Sequence, residues 1–149
     1  VRALARDVIA DACVRDPQRP IDCRTPEWPV YVAADADRLS QIIANLVGNA
    51  VMHTPAGTPI HLTVGQSPGQ ATITVADEGP GILPEHRQHI FDRFYRADAG
   101  RSRSQGGTGL GLAIVQAVAQ ACGGSVDCRP GPAGGTEFTI TLPEAQGPS

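Results

Sequence analysis

The stretch Ala36–Met52, ADRLSQIIANLVGNAVM, decides how the chain is read. Leu39, Ile42, Ile43, Leu46, Val47 and Ala50 recur at three- and four-residue intervals, the period of one helix face. Asp35 or Asp37 can cap the start, and Pro55 stops it. Asn45 and Asn49, four apart, share a stripe with Arg38, Gln41 and His53, expected opposite the apolar one. Asparagine favours caps and turns over helix interiors, so two of them mid-helix need a reason. A hard cation such as Mg²⁺ offers one, because it accepts an amide oxygen while keeping waters and phosphate oxygens as its other ligands. Alone, the pair reads more simply as a solvated helix face.

Working outward, Leu4, Val8 and Ala12, with Ala5, Ile9 and Cys13 beside them, predict a helix over 3–15. Residues 21–29 are broken by prolines, and 30–33 read as a short strand. Downstream, Ile60, Leu62 and Val64 alternate with His61 and Thr63, and Ala71, Ile73 and Val75 alternate with Thr72 and Thr74. Ser67-Pro68-Gly69-Gln70 is the turn between these strands. After Asp77–Gly81, a helical turn begun by Pro84 leads into Phe91-Asp92-Arg93-Phe94. The polar stretch 98–107 is a candidate flexible lid. A helix over 109–122 is ended by Gly123-Gly124, and strands near 125–129 and 136–142 flank a turn at 130–135. Residues 144–149 read as a disordered tail. This order predicts a single α/β (α+β) two-layer sandwich, with a mixed sheet of about five strands and three helices on one face.

Composition narrows the function. The chain has 149 residues, 41% of them hydrophobic, which suits one soluble domain with an ordinary core. All twelve basic residues are arginine. Without lysine, a P-loop NTPase, a protein kinase using a strand lysine and a Schiff-base enzyme are excluded. A net charge of -3 gives no basic footprint for nucleic acid. The longest apolar runs are too short to span a bilayer. The opening at Val1, directly into a helical pattern, suggests a domain cut from a longer protein. Four cysteines without a CxxC pair read as reduced thiols packed as small hydrophobes, pointing to the cytoplasm.

Two further motifs carry chemistry. In Asp77-Glu78-Gly79-Pro80-Gly81, a carboxylate at a strand end can accept from an exocyclic amine, and glycines let backbone approach a flat ring. Gly106-Gly107-Thr108-Gly109-Leu110-Gly111-Leu112 opens a helix, where free N–H groups and the helix dipole cradle phosphate. It lacks the third glycine and the preceding strand of a dinucleotide fingerprint, which argues against a nicotinamide oxidoreductase.

In order, Asn-xxx-Asn-Ala-xx-His-Thr-Pro, DxGxG, Phe-Asp-Arg-Phe, GxGxGL and GGTxF (Gly134–Phe138) resemble the catalytic ATP-binding domain of sensor histidine kinases, a branch of the gyrase/Hsp90/histidine-kinase/MutL superfamily. The resemblance spans about residues 30–143. It implies ATP and Mg²⁺ as ligands, with Asn49 on the metal and Asn45 supporting the metal and phosphate site. It further implies that Asp77 binds the adenine amine, that Gly79 and Gly81 shape the pocket, and that Ile82 packs near the base. His53 would line the nucleotide site, and Gly107, Thr108, Gly109, Leu110, Gly111 and Leu112 would form the phosphate-side loop. Arg96 would face phosphate, Arg101 and Arg103 would lie in the lid, and Thr136 would sit near the adenine end.

Two positions bear on chemistry. Met52 stands where the family usually carries Lys or Arg near phosphate. Asn45 stands where hydrolysing relatives carry a glutamate general base, and an amide cannot take a proton. The resemblance therefore implies a protein-histidine kinase whose γ-phosphoryl group goes to a histidine on a separate dimerisation domain, and then to a response regulator. His53, His61, His86 and His89 lack the acceptor pattern, so the fragment is expected to be monomeric and unable to autophosphorylate. The whole protein is expected to be a homodimeric membrane-bound sensor with this domain in the cytoplasm. A degenerate nucleotide-binding or partner-docking module and an anti-sigma-type serine kinase of the same fold are the alternatives.

Overall fold

A computed structural model gives the fold, and describes residues 2–27, 30–32, 34–52, 54–55, 57–79, 81, 111–131 and 134–145. The elements follow the order α1 (Arg2–Arg15), β1 (Ile21–Arg24), α2 (Ala36–Met52), β2 (Ile60–Ser67), β3 (Gln70–Asp77), α3 (Gly111–Ala121), β4 (Ser125–Pro130) and β5 (Thr136–Pro143). The strands form one mixed sheet in the order β1-β2-β3-β5-β4. Only β1 and β2 are parallel.

α2 lies at the centre of the helical layer, packed between α1 and α3 and against β2 and β3. Its buried residues are Leu39, Ile42, Ile43, Leu46, Val47 and Ala50, as its sequence period requires. Asp35 is the cap: its carboxylate accepts from the Asp37 N–H at 3.0 Å, and its carbonyl from Leu39 N–H at 2.9 Å. The sheet meets these helices with Ile60, Leu62, Ala71, Ile73, Val75, Phe138, Ile140 and Leu142. Alternate residues, among them Thr63, Thr72, Thr74, Thr139 and Thr141, stand on the other face. α3 ends on Gly123 at φ +81°, with the Gly124 N–H returning to the Ala119 carbonyl at 2.8 Å. The four cysteines form no disulfide with one another and pack at the edge of the core.

Two expectations are corrected. The strand near the N-terminus is Ile21–Arg24; of the expected 30–33, residues 30–32 hold only a bridge from Val32 to Glu144, and residue 33 lies outside the described residues. The apolar character of Val30 goes into the core instead, where it is almost fully buried. The chain also stays tied beyond 143. Glu144 N–H donates to the Gly69 carbonyl at 3.0 Å, and Ala145 N–H to that of Tyr31 at 2.8 Å. Residues 146–149 lie outside the described residues.

Candidate functional site

The inward alternation of β3 runs Ala71, Ile73, Val75 and then Asp77, which puts a carboxylate in the helix-facing layer at the strand's end. Asp77 is 7% exposed. Its Oδ1 accepts from Gly79 N–H at 2.9 Å and from Thr136 N–H at 3.3 Å. Among the described residues no donor reaches Oδ2. A buried carboxyl oxygen needs its lone pairs met, so Oδ2 is the acceptor on offer to a ligand.

Thr136, 5% exposed, begins the inward alternation of β5 directly beside Asp77. The loop before it closes the wall. A Cβ on Gly135 would stand 2.2 Å from the Asp77 carbonyl oxygen and 2.7 Å from its Oδ1, and Gly135 has φ +77°. Gly81, at φ +80°, faces the Gly135 carbonyl oxygen, which a Cβ there would approach to 3.1 Å. Only glycine meets both demands at Gly135. The doubled glycine of the GGTxF motif, before an inward-facing threonine, is the sequence signal for this residue.

The asparagines lie on α2 just before the turn that meets this loop. At about 100° per residue, Asn49 falls about 90° from the centre of the apolar stripe and flanks it, while Asn45 falls about 130° away, nearer the opposite face. Both are half-buried, while Arg38 and Gln41 are exposed. Among the described residues neither side-chain amide has a hydrogen-bond partner. That suits a hard cation, since a half-buried amide oxygen without a donor is the ligand type Mg²⁺ accepts. Thr54 joins the two halves. Its hydroxyl donates to the Ala50 carbonyl at 2.7 Å, and a Cβ on Gly79 would stand 2.6 Å from its Cγ2 methyl. Met52, in the last turn of α2, is half-buried.

α3 opens at Gly111 with Leu112 half-buried behind it. His53, Ile82, Arg96, Arg101, Arg103, Gly107, Thr108, Gly109 and Leu110 lie outside the described residues, as does the stretch 98–107. The structure thus brings together Asp77, Gly79, Gly81 and Thr136, with the α2 turn beyond Asn49 packed against them.

One residue along, Glu78 faces a different setting. Its Oε2 lies 2.8 Å from His61 Nε2, while Asp22 holds the opposite ring nitrogen, Nδ1. The bond to Glu78 first, then that to Asp22, raises the His61 pKa above its ordinary 6.5, against a smaller desolvation effect. The two carboxylates bracket the ring instead of converging on a point, and among the described residues no His, Cys, Asp and Glu group could hold a metal.

Comparison with known proteins agrees with this geometry. Residues 34–146 match the family model described as histidine kinase-, DNA gyrase B- and HSP90-like ATPase, and the chain belongs to that family. It is 41% identical over 140 residues to the probable sensor histidine kinase TcrY of Mycobacterium tuberculosis, covering 94% of this chain and 29% of that protein. The mycobacterial sensor histidine kinase MprB aligns with a TM-score of 0.83 at 27% identity, over 97% of this chain and 95% of that one. Full-length ShkA, solved in complex with AMPPNP, gives 0.84 at 32% identity, over 99% of this chain and 31% of that one. The fold is that of a sensor histidine kinase catalytic domain. The chain spans less than a third of its curated relative TcrY, and among the described residues no helix is long and apolar enough to cross a membrane.

Proposed function

We propose that this domain binds Mg-ATP and presents the γ-phosphoryl group to a histidine on a separate dimerisation domain, which then phosphorylates a response regulator. The observation that carries the proposal is the buried Asp77, with Oδ1 held by two backbone N–H groups and Oδ2 open. An adenine has an exocyclic amine to donate there, and Gly79, Gly81 and Gly135 leave room for a flat ring. AMPPNP in the ShkA complex is a ligand of this chemistry.

At the other end, Asn49 would hold Mg²⁺ through its amide oxygen, with Asn45 one turn earlier supporting the phosphates. The metal supplies charge neutralisation on the phosphate oxygens. The protein's own contribution is position: α2 fixes both amides on one face, and α3 begins at Gly111 with its N-terminal dipole. Asn45 cannot act as a general base toward water, which suits a phosphotransferase. The acceptor histidine lies on another domain in this reading, since none of His53, His61, His86 and His89 carries the acceptor pattern and His61 is also pinned between Asp22 and Glu78. We place the domain on the cytoplasmic side of a membrane-bound sensor that functions as a homodimer.

A second reading, a degenerate binding module, is favoured by Met52, which brings no charge to the last turn of α2. Calorimetric titration with AMPPNP, with and without Mg²⁺, decides between them. Micromolar binding that needs Mg²⁺, and loses that need in Asn49→Ala, is the kinase-domain result. No binding by the folded protein is the result of the degenerate module.

A further inference from the structure

Among the described residues, three polar or charged side chains are buried: Asp77, Thr136 and Arg19. The first two form the base end of the site. Arg19, in the loop between α1 and β1, is 6% exposed although nothing in the sequence marks it out. Burying a guanidinium is costly unless its N–H donors are met, and here all three nitrogens donate. Nε donates to Asp16 Oδ2 at 2.9 Å. Nη1 donates to Thr54 Oγ1 at 2.8 Å, to the Thr58 carbonyl at 3.0 Å and to that of Pro55 at 3.3 Å. Nη2 donates to the Val51 carbonyl at 3.3 Å.

Apart from Asp16, these partners lie in the C-terminal turn of α2 and the segment leading to β2, the two pieces of backbone that flank the Asp77 loop. Thr58 is followed by Pro59, whose carbonyl accepts from Glu78 N–H at 3.2 Å. Thr54 carries the contact further, because its methyl group fills the space a Cβ would need on Gly79. Gly79 N–H in turn holds Asp77 Oδ1. A planar guanidinium fork fixes several acceptors in one geometry, which a lysine ammonium does not.

We propose that Arg19 is a positioning residue for the base end of the nucleotide site, acting through Thr54 on Gly79 and so on the direction of the Asp77 carboxylate. Arg19 touches no ligand in this account. It sets how closely the α2 turn stands against the loop that reads the base. This rests on the nucleotide reading given above.

The test titrates the full chain and its Arg19→Met, Arg19→Lys and Thr54→Ser variants with Mg-ADP and with Mg-IDP, whose base lacks the exocyclic amine. Titrations are run well below each melting temperature, alongside amide exchange at Gly79. Thr54→Ser keeps the hydroxyl bonds and deletes only the methyl, so it carries the test if Arg19→Met does not fold. The expected result is a loss of ADP-over-IDP preference by at least tenfold in Arg19→Met and Thr54→Ser, with faster exchange at Gly79 than global stability explains. Arg19→Lys is expected to recover only part of the preference. Wild-type preference in Thr54→Ser and Arg19→Lys, or Gly79 exchange that merely follows global stability, overturns the proposal and leaves the nucleotide site standing. Failure of the wild type to bind ADP overturns the nucleotide reading itself, and the positioning role with it.

Discussion

Asp77 and Glu78 are consecutive carboxylates at the end of one strand, and the fold treats them in opposite ways. Asp77 continues the inward alternation of β3 and is held by backbone N–H groups, which do not titrate. Glu78 leaves the strand and pairs with His61, whose side chain is 41% exposed and does titrate. The first arrangement gives a fixed acceptor at a set height above the sheet. The second gives a surface contact that follows pH and salt. Strand periodicity alone separates the two, since a shift by one residue exchanges faces.

The largest effect is expected from closing the space around Asp77. Gly135→Ala meets both a positive φ and a Cβ 2.2 Å from the Asp77 carbonyl. Chemical denaturation is expected to show a loss of about 3 kcal/mol or more; a loss under 1 kcal/mol would mean the loop opens without cost. Next comes Asp77→Ala, which leaves one buried and one half-buried N–H group without an acceptor and is expected to cost about 2–3 kcal/mol in the same assay.

The outer carboxylate predicts a smaller, pH-dependent effect. The His61 pKa is raised in the folded protein, so its two pairs stabilise fully below the unfolded value of about 6.5 and fade as pH rises through the elevated folded value. For pairs this exposed the contribution is under about 1 kcal/mol. A melting-temperature profile from pH 5 to 9 is expected to fall less steeply in His61→Gln, and less again at high salt; identical profiles would refute the pairing. Smallest of all, Glu78→Gln is expected to shift stability at pH 6 by about 0.5 kcal/mol or less.

Much of this was legible in the chain. The helix periods of α2 and the alternation of β2, β3 and β5 are strong local signals, and the DxGxG and GGTxF motifs fell at the ends of the strands that meet. The strand Ile21–Arg24 was not legible. Four residues, IDCR, have no marked alternation, and their extended form comes from parallel pairing with β2. Val30 made residues 30–33 look more like a strand, because burial and strand pairing favour the same residue type. Thr54 stands in the His-Thr-Pro part of the helical motif, but Arg19 was invisible for a different reason: apart from Asp16, its partners lie more than thirty residues away in sequence.

The most direct test of the account compares ADP with IDP on the wild type and on Asp77→Asn. Asparagine can keep the two backbone N–H bonds through its oxygen, but then turns an NH₂ donor toward the ligand's own amine. The account predicts that wild type prefers ADP by about 100-fold, and that Asp77→Asn stays folded and loses that preference. Equal binding of ADP and IDP by the wild type, or an undiminished preference in Asp77→Asn, would contradict it.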